Sequence, residues 1–151
     1  MTELKHILLA EDSDNDVELT LAALKENRIA NDVVVVHDGE EALDYLYRRS
    51  TFQGRTGADP AVVLLDLKMP KVDGLEVLRT IRADARLRTL PVVILTSSRQ
   101  ESDIVESYQL GVNAYVVKPV KFDRFAEAVR VLGLFWAVLN EPPPVTVRRS
   151  A

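Results

Sequence analysis

The fold is decided by VVLLDLKMP at residues 62–70, followed by Asp73-Gly74. Four consecutive apolar residues, 62–65, predict a strand that is buried on both faces, as in a parallel sheet. This strand ends on Asp66, and a buried carboxylate is costly unless it is partnered or used in chemistry. Asp66 is therefore the first candidate functional residue.

Polar or charged side chains follow three further apolar runs in the same way, and these residues are Glu11, Asp12, Thr96 and Lys118. In open α/β sheets, ligands bind beyond the carboxyl ends of the strands. If the strand order is 2-1-3-4-5, the first and third strands are neighbours. All of these side chains would then meet in one crevice.

Strand-like and helix-like segments alternate five times, which argues for an α/β domain with a parallel sheet and helices on both faces. The predicted strands are Ile7–Ala10, Val33–Val36, Val62–Leu65, Val92–Leu95 and Ala114–Val117. Capping-box patterns mark four helix starts, at Ser13/Asp16, Asp38/Glu41, Asp73/Glu76 and Ser98/Glu101. Gly111 is a plausible stop for the fourth helix.

Composition bounds the classes of function. The chain has 151 residues, which suits one domain, with 47% apolar and 28% charged residues. No apolar run approaches the ~20 residues that cross a bilayer, and the N-terminus lacks a signal-peptide pattern, so we expect a cytoplasmic protein. The absence of cysteine excludes disulfides and thiol catalysis. A net charge of −4 gives no case for nucleic-acid binding.

We expect one domain over residues 1–140, with a core at about 5–136, a C-terminal arm at 134–144 and a flexible tail at 145–151. Residues 48–60 form a polar loop that is long for such a connection. We expect Arg55 in this loop and His6 before the first strand to be exposed to solvent.

Three carboxylates in one crevice, Glu11, Asp12 and Asp66, repel one another. Each pair at ~4 Å costs on the order of 4 kcal/mol at an effective dielectric constant near 20. A hard divalent cation relieves this repulsion, and oxygen-only ligands suit Mg²⁺. Asp66 is the best nucleophile for an incoming phosphoryl group, which Lys118 and Thr96 could hold.

These residues resemble the receiver domain of two-component response regulators over about residues 5–136. The motifs in family order and spacing are Glu11-Asp12, Asp66…Met69-Pro70…Asp73-Gly74, Thr96-Ser97 and Tyr115…Lys118-Pro119. The resemblance implies a flavodoxin-like, doubly wound (βα)₅ fold with five parallel strands in the order 2-1-3-4-5. It also implies a signalling protein that is not a turnover enzyme.

The resemblance further implies that Asp66 accepts a phosphoryl group from a sensor histidine kinase. The implied Mg²⁺ ligands are Asp12, Asp66, the backbone carbonyl of Lys68 and, through water, Glu11. Thr96 and Tyr115 would form a switch pair that remodels the face of the fourth helix, fifth strand and fifth helix.

The chain departs from the family pattern at two positions. Glu11 replaces the commoner Asp, which should alter metal geometry without abolishing binding. Lys68 stands where a neutral polar residue is frequent. With Ser98, it would flank the path of a hydrolytic water and set the lifetime of the phosphorylated state.

The loop at 48–60 and the C-terminal ending resemble the stand-alone regulators associated with bacterial phytochromes, which implies a light-sensing kinase as partner. We expect the kinase to dock on a ridge of the first helix, opposite the Val17–Leu21–Leu24 stripe; the expected docking residues are Leu19, Ala22, Ala23 and, near the site, Pro119. A homodimer contact is expected through the C-terminal arm, with Phe135, Trp136 and Leu139.

Two other classes of function stay open. A phosphatase with an aspartate nucleophile usually has a second acid two residues after the nucleophile, where this chain has Lys68, and carries the nucleophile on its first strand. A non-phosphorylated dimeric scaffold would not need the acceptor, acid pair, hydroxyl and lysine that are all present here.

Overall fold

The computed structural model describes residues 6–26, 32–97 and 101–118. Five parallel strands form one sheet in the order β2-β1-β3-β4-β5, with helices on its two faces. The elements are β1 Ile7–Ala10, α1 Asp14–Glu26, β2 Val33–Val36, α2 Gly39–Tyr47, β3 Val62–Leu65, α3 Gly74–Ala83, β4 Val92–Thr96, α4 Glu101–Gln109 and β5 Ala114–Val117. In the described segments, no helix is long and apolar enough to span a bilayer.

This architecture confirms the predicted α/β fold, its strand order and its parallel sheet. Four strands have the predicted bounds, and β4 extends one residue further, to Thr96. The strand register brings the candidate residues together. Ala10 lies opposite Leu65, so that Glu11 and Asp66 are the next residues on adjacent strands.

The sheet is buried on both faces, as its continuous apolar runs predict. Alternate residues of each strand enter different clusters. Leu8 and Leu65 belong to the larger cluster, which includes residues of α2 and α3. Ile7 and Leu64 belong to the smaller cluster, where Leu24 of α1 packs. The edge of this rigid sheet therefore supports any side chain that follows a strand.

Three of the predicted helix starts are capped by the expected side chains. Asp38 accepts a hydrogen bond from the Glu41 N–H at 2.7 Å. In the same way, the Asp73 side chain accepts from the Glu76 N–H at 3.0 Å, and the Ser13 side chain accepts from the Asp16 N–H at 3.3 Å. The fourth pattern begins at Ser98, which lies outside the described residues. Gly111 ends the last turn after α4 with a φ of 91°, where a side chain would be strained.

The buried face of α1 differs from the predicted stripe. Val17 and Leu24 point inward, but Leu21 is 37% exposed and Thr20 is buried in its place. A helix turns by 100° per residue, and the centre of the buried face falls between Thr20 and Leu24. The same rotation buries Ala23, which is 5% exposed.

The loop at 48–60 is held in place by its own arginines, contrary to the expectation that Arg55 is solvated. The Arg55 side chain is 9% exposed and donates hydrogen bonds to the carbonyls of Tyr45 and Ala58 and to Asp59. His6 is not a free surface residue either, because its Nε2 lies 2.8 Å from the Tyr45 hydroxyl. A long polar loop is stable here because its cations find internal acceptors.

Candidate functional site

The candidate site lies at the carboxyl edge of the sheet, where β1 and β3 run side by side. The Asp66 N–H donates to the carbonyl of Ala10 at 3.0 Å, which extends the ladder by one residue and fixes Asp66 beside Glu11. Asp66 is 6% exposed and Glu11 1%. The strand register, rather than a flexible loop, therefore positions the two carboxylates.

Asp12 completes a group of three carboxylates. One oxygen from each of Glu11, Asp12 and Asp66 lies within 4.8 Å of the others. Asp12 is exposed while the other two are buried, so the group opens to solvent on one side. Carboxylate oxygens with room for water are the donor set that fits Mg²⁺. The residues present thus fit the predicted cation.

Lys118 follows β5 and is, among the described residues, the cation that contacts the carboxylates of this crevice. Its N–H donates to the carbonyl of Thr96 at 2.7 Å, which continues the β4–β5 pairing. Its ammonium nitrogen lies 2.5 Å from Glu11 Oε1, 2.8 Å from Asp16 Oδ2 and 3.5 Å from Asp66 Oδ2. Lys118 thus lies beside Asp66 at this edge of the sheet.

Asp16 was missed as a site residue, since its capping pattern with Ser13 accounts for it without reference to a lysine 102 positions away. The sequence feature that could have identified Asp16 as a site residue is its place in the first turn of the helix that follows Glu11-Asp12. A carboxylate there faces the same crevice.

Burial and the neighbouring charges together set the protonation of the cluster. Burial raises the pKa of Glu11 to about 7; the hydrogen bond from Lys118 opposes this rise and the charge of Asp66 adds to it. Burial by itself would lower the pKa of Lys118, but its hydrogen bonds to Asp16 and Glu11 and the charge of Asp66 outweigh burial and raise it. The crevice therefore attracts positive charge.

Gly74 explains the Asp-Gly pair of the motif. A Cβ at Gly74 would lie 2.3 Å from the backbone oxygen of Asp66, so any side chain would push the start of α3 off the acceptor strand. The Gly74 N–H donates to the carbonyl of Leu67 at 2.8 Å. Helix α3 is thereby docked directly behind Asp66.

Thr96 and Tyr115 occupy neighbouring strands near the site. Thr96 ends β4 with 0% exposure, and Tyr115 of β5 packs half-buried against the larger core cluster. Strands β4 and β5 pair directly, with Thr96 opposite Val117. A hydroxyl at the sheet edge and a half-buried ring on the next strand are compatible with a switch pair.

Lys68 is exposed and lies in the chain between two buried residues, Leu67 and Met69. The Lys68 side chain is 65% exposed, and its ammonium nitrogen lies 3.6 Å from Asp103 Oδ2 of α4. The side chain thus reaches from the acceptor loop to α4, a partner that the sequence pattern did not indicate.

The expected docking ridge is only partly on the surface. Leu19 is 44% exposed and Ala22 is exposed, whereas Ala23 is buried and drops out of the ridge. Five further predicted residues lie outside the described part of the chain, and these are Ser98, Pro119, Phe135, Trp136 and Leu139.

A parallel sheet that clusters three carboxylates and a lysine at one edge defines a class: an α/β domain that can hold a divalent cation beside a carboxylate. Comparison with known proteins gives the family. Residues 7–130 match the response regulator receiver domain, and the chain belongs to this family. Receiver domains are signalling proteins that take phosphoryl groups from sensor histidine kinases and bind Mg²⁺ or Mn²⁺ at an acidic pocket.

Three relatives illustrate the match. The bacteriophytochrome response regulator RtBRR is 59% identical, with 97% of this chain and 88% of RtBRR covered and a TM-score of 0.83. The bacteriophytochrome response regulator AtBRR is 61% identical, with coverages of 93% and 100% and a TM-score of 0.82.

The response regulator Rcp1 of Synechocystis sp. is 36% identical over 132 residues, which is 87% of this chain and 88% of Rcp1. The solved Mn²⁺-bound form of Rcp1 has a TM-score of 0.74 to this chain, at 35% identity. The protein is thus a receiver-domain response regulator related to phytochrome response regulators.

Proposed function

We propose that Asp66 accepts a phosphoryl group from a sensor histidine kinase in a reaction that needs Mg²⁺. The observation that carries this proposal is the position of Asp66: it is buried at the end of the central strand, its carboxylate clusters with those of Glu11 and Asp12, and the Lys118 ammonium is 3.5 Å away. Among the described carboxylates, Asp66 combines burial, the central strand and a lysine partner.

In the proposed step, one carboxylate oxygen of Asp66 attacks phosphorus. The bond from phosphorus to the donor, a histidine nitrogen or a small carboxylate, breaks as the new P–O bond forms, and the donor leaves with the electron pair. Lys118 donates a hydrogen bond to one phosphoryl oxygen, and Thr96 donates its hydroxyl hydrogen to another. A bound Mg²⁺ would supply charge neutralisation for the phosphoryl oxygens; Glu11, Asp12, Asp66 and the backbone carbonyl of Lys68 would hold it.

The test is Mg²⁺-dependent phosphorylation by acetyl phosphate, followed by intact mass. We expect one added phosphoryl group on the wild type, none on Asp66→Asn and none in EDTA. Asp59→Asn is the matched control, because it neutralises a carboxylate at the other end of the sheet. Donor hydrolysis without an adduct would favour the phosphatase class, and no reaction at all would favour the scaffold.

We propose that phosphorylation is transmitted through Thr96 and Tyr115. The Thr96 hydroxyl would turn toward the phosphoryl group and the half-buried Tyr115 ring would move inward, which shifts α4 and the adjoining face. We expect the exposure of Tyr115 to change when the wild type is phosphorylated and to stay the same in a phosphorylated Thr96→Val variant.

We propose that the cognate kinase is of the phytochrome type and is met in the cytoplasm. The support is that RtBRR and AtBRR, which are 59% and 61% identical to this chain, are bacteriophytochrome response regulators. Leu19 and Ala22 would form the docking ridge, and Pro119 would be a further residue that binds the kinase. Leu19→Glu should slow transfer from a phytochrome kinase while leaving phosphorylation by acetyl phosphate unchanged; equal slowing of both would contradict the ridge.

We propose that Lys68 and Ser98 together set the rate at which the phosphorylated protein loses its phosphoryl group. The Lys68 side chain is exposed next to the acceptor and is tethered to Asp103. The pair of changes Lys68→Asn and Ser98→Ala should alter the autodephosphorylation rate, and an unchanged rate would remove this role.

We also propose a homodimer through Phe135, Trp136 and Leu139, on the apolar sequence of residues 134–139. Light scattering should give a mass that rises with concentration toward twice 16.9 kDa. A constant monomer mass would contradict the dimer.

A further inference from the structure

We propose that Asp16 is a positioning residue for phosphoryl transfer, which holds the Lys118 ammonium beside Asp66 from the first turn of α1. This inference rests on the function proposed above and adds a residue that the acceptor and metal motifs do not include.

The geometry of Lys118 carries the inference. Its side chain is 9% exposed, and its ammonium nitrogen lies 2.8 Å from Asp16 Oδ2 and 2.5 Å from Glu11 Oε1. An ammonium has three N–H donors. Two of them can serve these two carboxylates. The third can then face Asp66, whose Oδ2 lies 3.5 Å from the ammonium nitrogen.

The start of α1 fixes Asp16 in this position. The Asp16 N–H donates to Ser13 Oγ at 3.3 Å, and the Ser13 N–H donates to Glu11 Oε2 at 3.2 Å. One capped turn therefore sets the backbone from which both carboxylates reach the ammonium. A lysine side chain has many accessible rotamers, and the pairing with the two carboxylates restricts them before the phosphoryl donor arrives.

Asp16 is the better placed of the two carboxylates to do this in the reacting protein. Glu11 belongs to the group of three carboxylates that fits a divalent cation, whereas Asp16 is outside that group. Glu11 would help to hold a cation beside Asp66, and the pairing with Asp16 would then keep the Lys118 ammonium in place. The Asp16 side chain is 31% exposed, which limits its effect through solvent screening.

The experiment compares Asp16→Asn with Asp14→Asn in the rate of phosphorylation by acetyl phosphate at saturating Mg²⁺. Asp14 is the matched control, since it carries the same charge in the same turn and its side chain is 95% exposed. We expect Asp16→Asn to lower the maximal rate about tenfold, with the half-saturating Mg²⁺ concentration changed by less than about twofold. Asp14→Asn should match the wild type. Asp16→Glu, which keeps the carboxylate, should recover part of the rate.

A double-mutant cycle separates positioning from a general structural effect. If Asp16 acts through Lys118, adding Asp16→Asn to Lys118→Gln should change the remaining rate less than about twofold. A further tenfold loss in the double variant would overturn the proposal, and so would equal rates for Asp16→Asn and Asp14→Asn. Failure of the proposed function looks different, since the wild type would then take up no phosphoryl group.

Discussion

The two ends of the sheet handle charge in opposite ways. At the amino end, Arg55 and Arg86 both pair with Asp59, and their remaining donors reach backbone carbonyls. At the carboxyl end, the described carboxylates Glu11, Asp16 and Asp66 all lie close to the Lys118 ammonium, and Asp12 adds a fourth carboxylate.

This difference separates structural charges from functional ones. Charges that are matched by hydrogen-bonded partners fix a loop, whereas an excess of one sign at a rigid edge costs stability and is retained where a ligand supplies the missing charge. The comparison can be tested at each end, because removing a matched charge at the amino end should destabilise the fold, whereas neutralising a surplus carboxylate at the carboxyl end should stabilise it.

The largest effect is expected at the amino end. Arg55→Met should lower the free energy of unfolding by about 3 kcal/mol, because it leaves Asp59 and two carbonyls short of a buried partner. Urea denaturation measures this loss. The control is Arg49→Met, whose side chain is 55% exposed in its ion pair with Asp44 and should cost less than about 1 kcal/mol. Equal losses would mean that Arg55 does not organise the loop.

A smaller effect of opposite sign is expected at the carboxyl end. In EDTA, Asp66→Asn should raise the free energy of unfolding by about 1 kcal/mol, because the repulsion from Glu11 and Asp12 exceeds the lost attraction to Lys118. Asp59→Asn, the same change at the other end, should destabilise. Saturating Mg²⁺ should stabilise the wild type more than Asp66→Asn and so remove the gain. Destabilisation by Asp66→Asn in EDTA would refute the charge imbalance.

The last effects concern the pH dependence of stability. The raised pKa of Glu11, about 7, means that the folded state without metal binds a proton more tightly than the unfolded state. The resulting contribution of Glu11 to the free energy of unfolding is present at acidic pH and is lost as pH rises through 7. For His6, burial and the charge of Arg55 lower the pKa below its ordinary 6.5, so stability is lost as pH falls below that value.

Thermal melts in EDTA between pH 5 and pH 8 test the direction of the pH dependence that is expected from Glu11 and from His6. Glu11→Gln should remove the loss of stability toward pH 8, and His6→Gln should reduce the loss toward pH 5. A Glu11→Gln variant with the same pH profile as the wild type would contradict the assignment at the carboxyl end.

Much of the site was predictable because it depends on strand ends. Glu11, Asp66 and Lys118 each follow an apolar run directly, and a parallel sheet leaves only one edge on which such residues can meet. Asp16 was not predictable in the same way, because it follows no strand. Its partner is set by how α1 packs against the sheet.

The faces of α1 show the same limit at the level of packing. The apolar positions 17, 21 and 24 predict one stripe, but Thr20 and Ala23 are buried and Leu21 is partly exposed. Residues at the margin of the apolar stripe of a helix become buried or exposed when the helix rotates about its axis by less than 100°. The neighbouring side chains that pack against the helix decide that rotation.

The sequence by itself determined the α/β class, the bounds of four strands, three helix caps and the residues Glu11, Asp12, Asp66, Thr96 and Lys118 of the candidate site. These features depend on local patterns, namely apolar runs, capping side chains and the residues that follow them. Tertiary structure decided which charges are matched: it gave Arg55 its acceptors, Lys118 its contact with Asp16 and Lys68 its contact with Asp103. Such pairings join residues that are far apart in the chain, and their geometry exists only once the sheet and helices have packed.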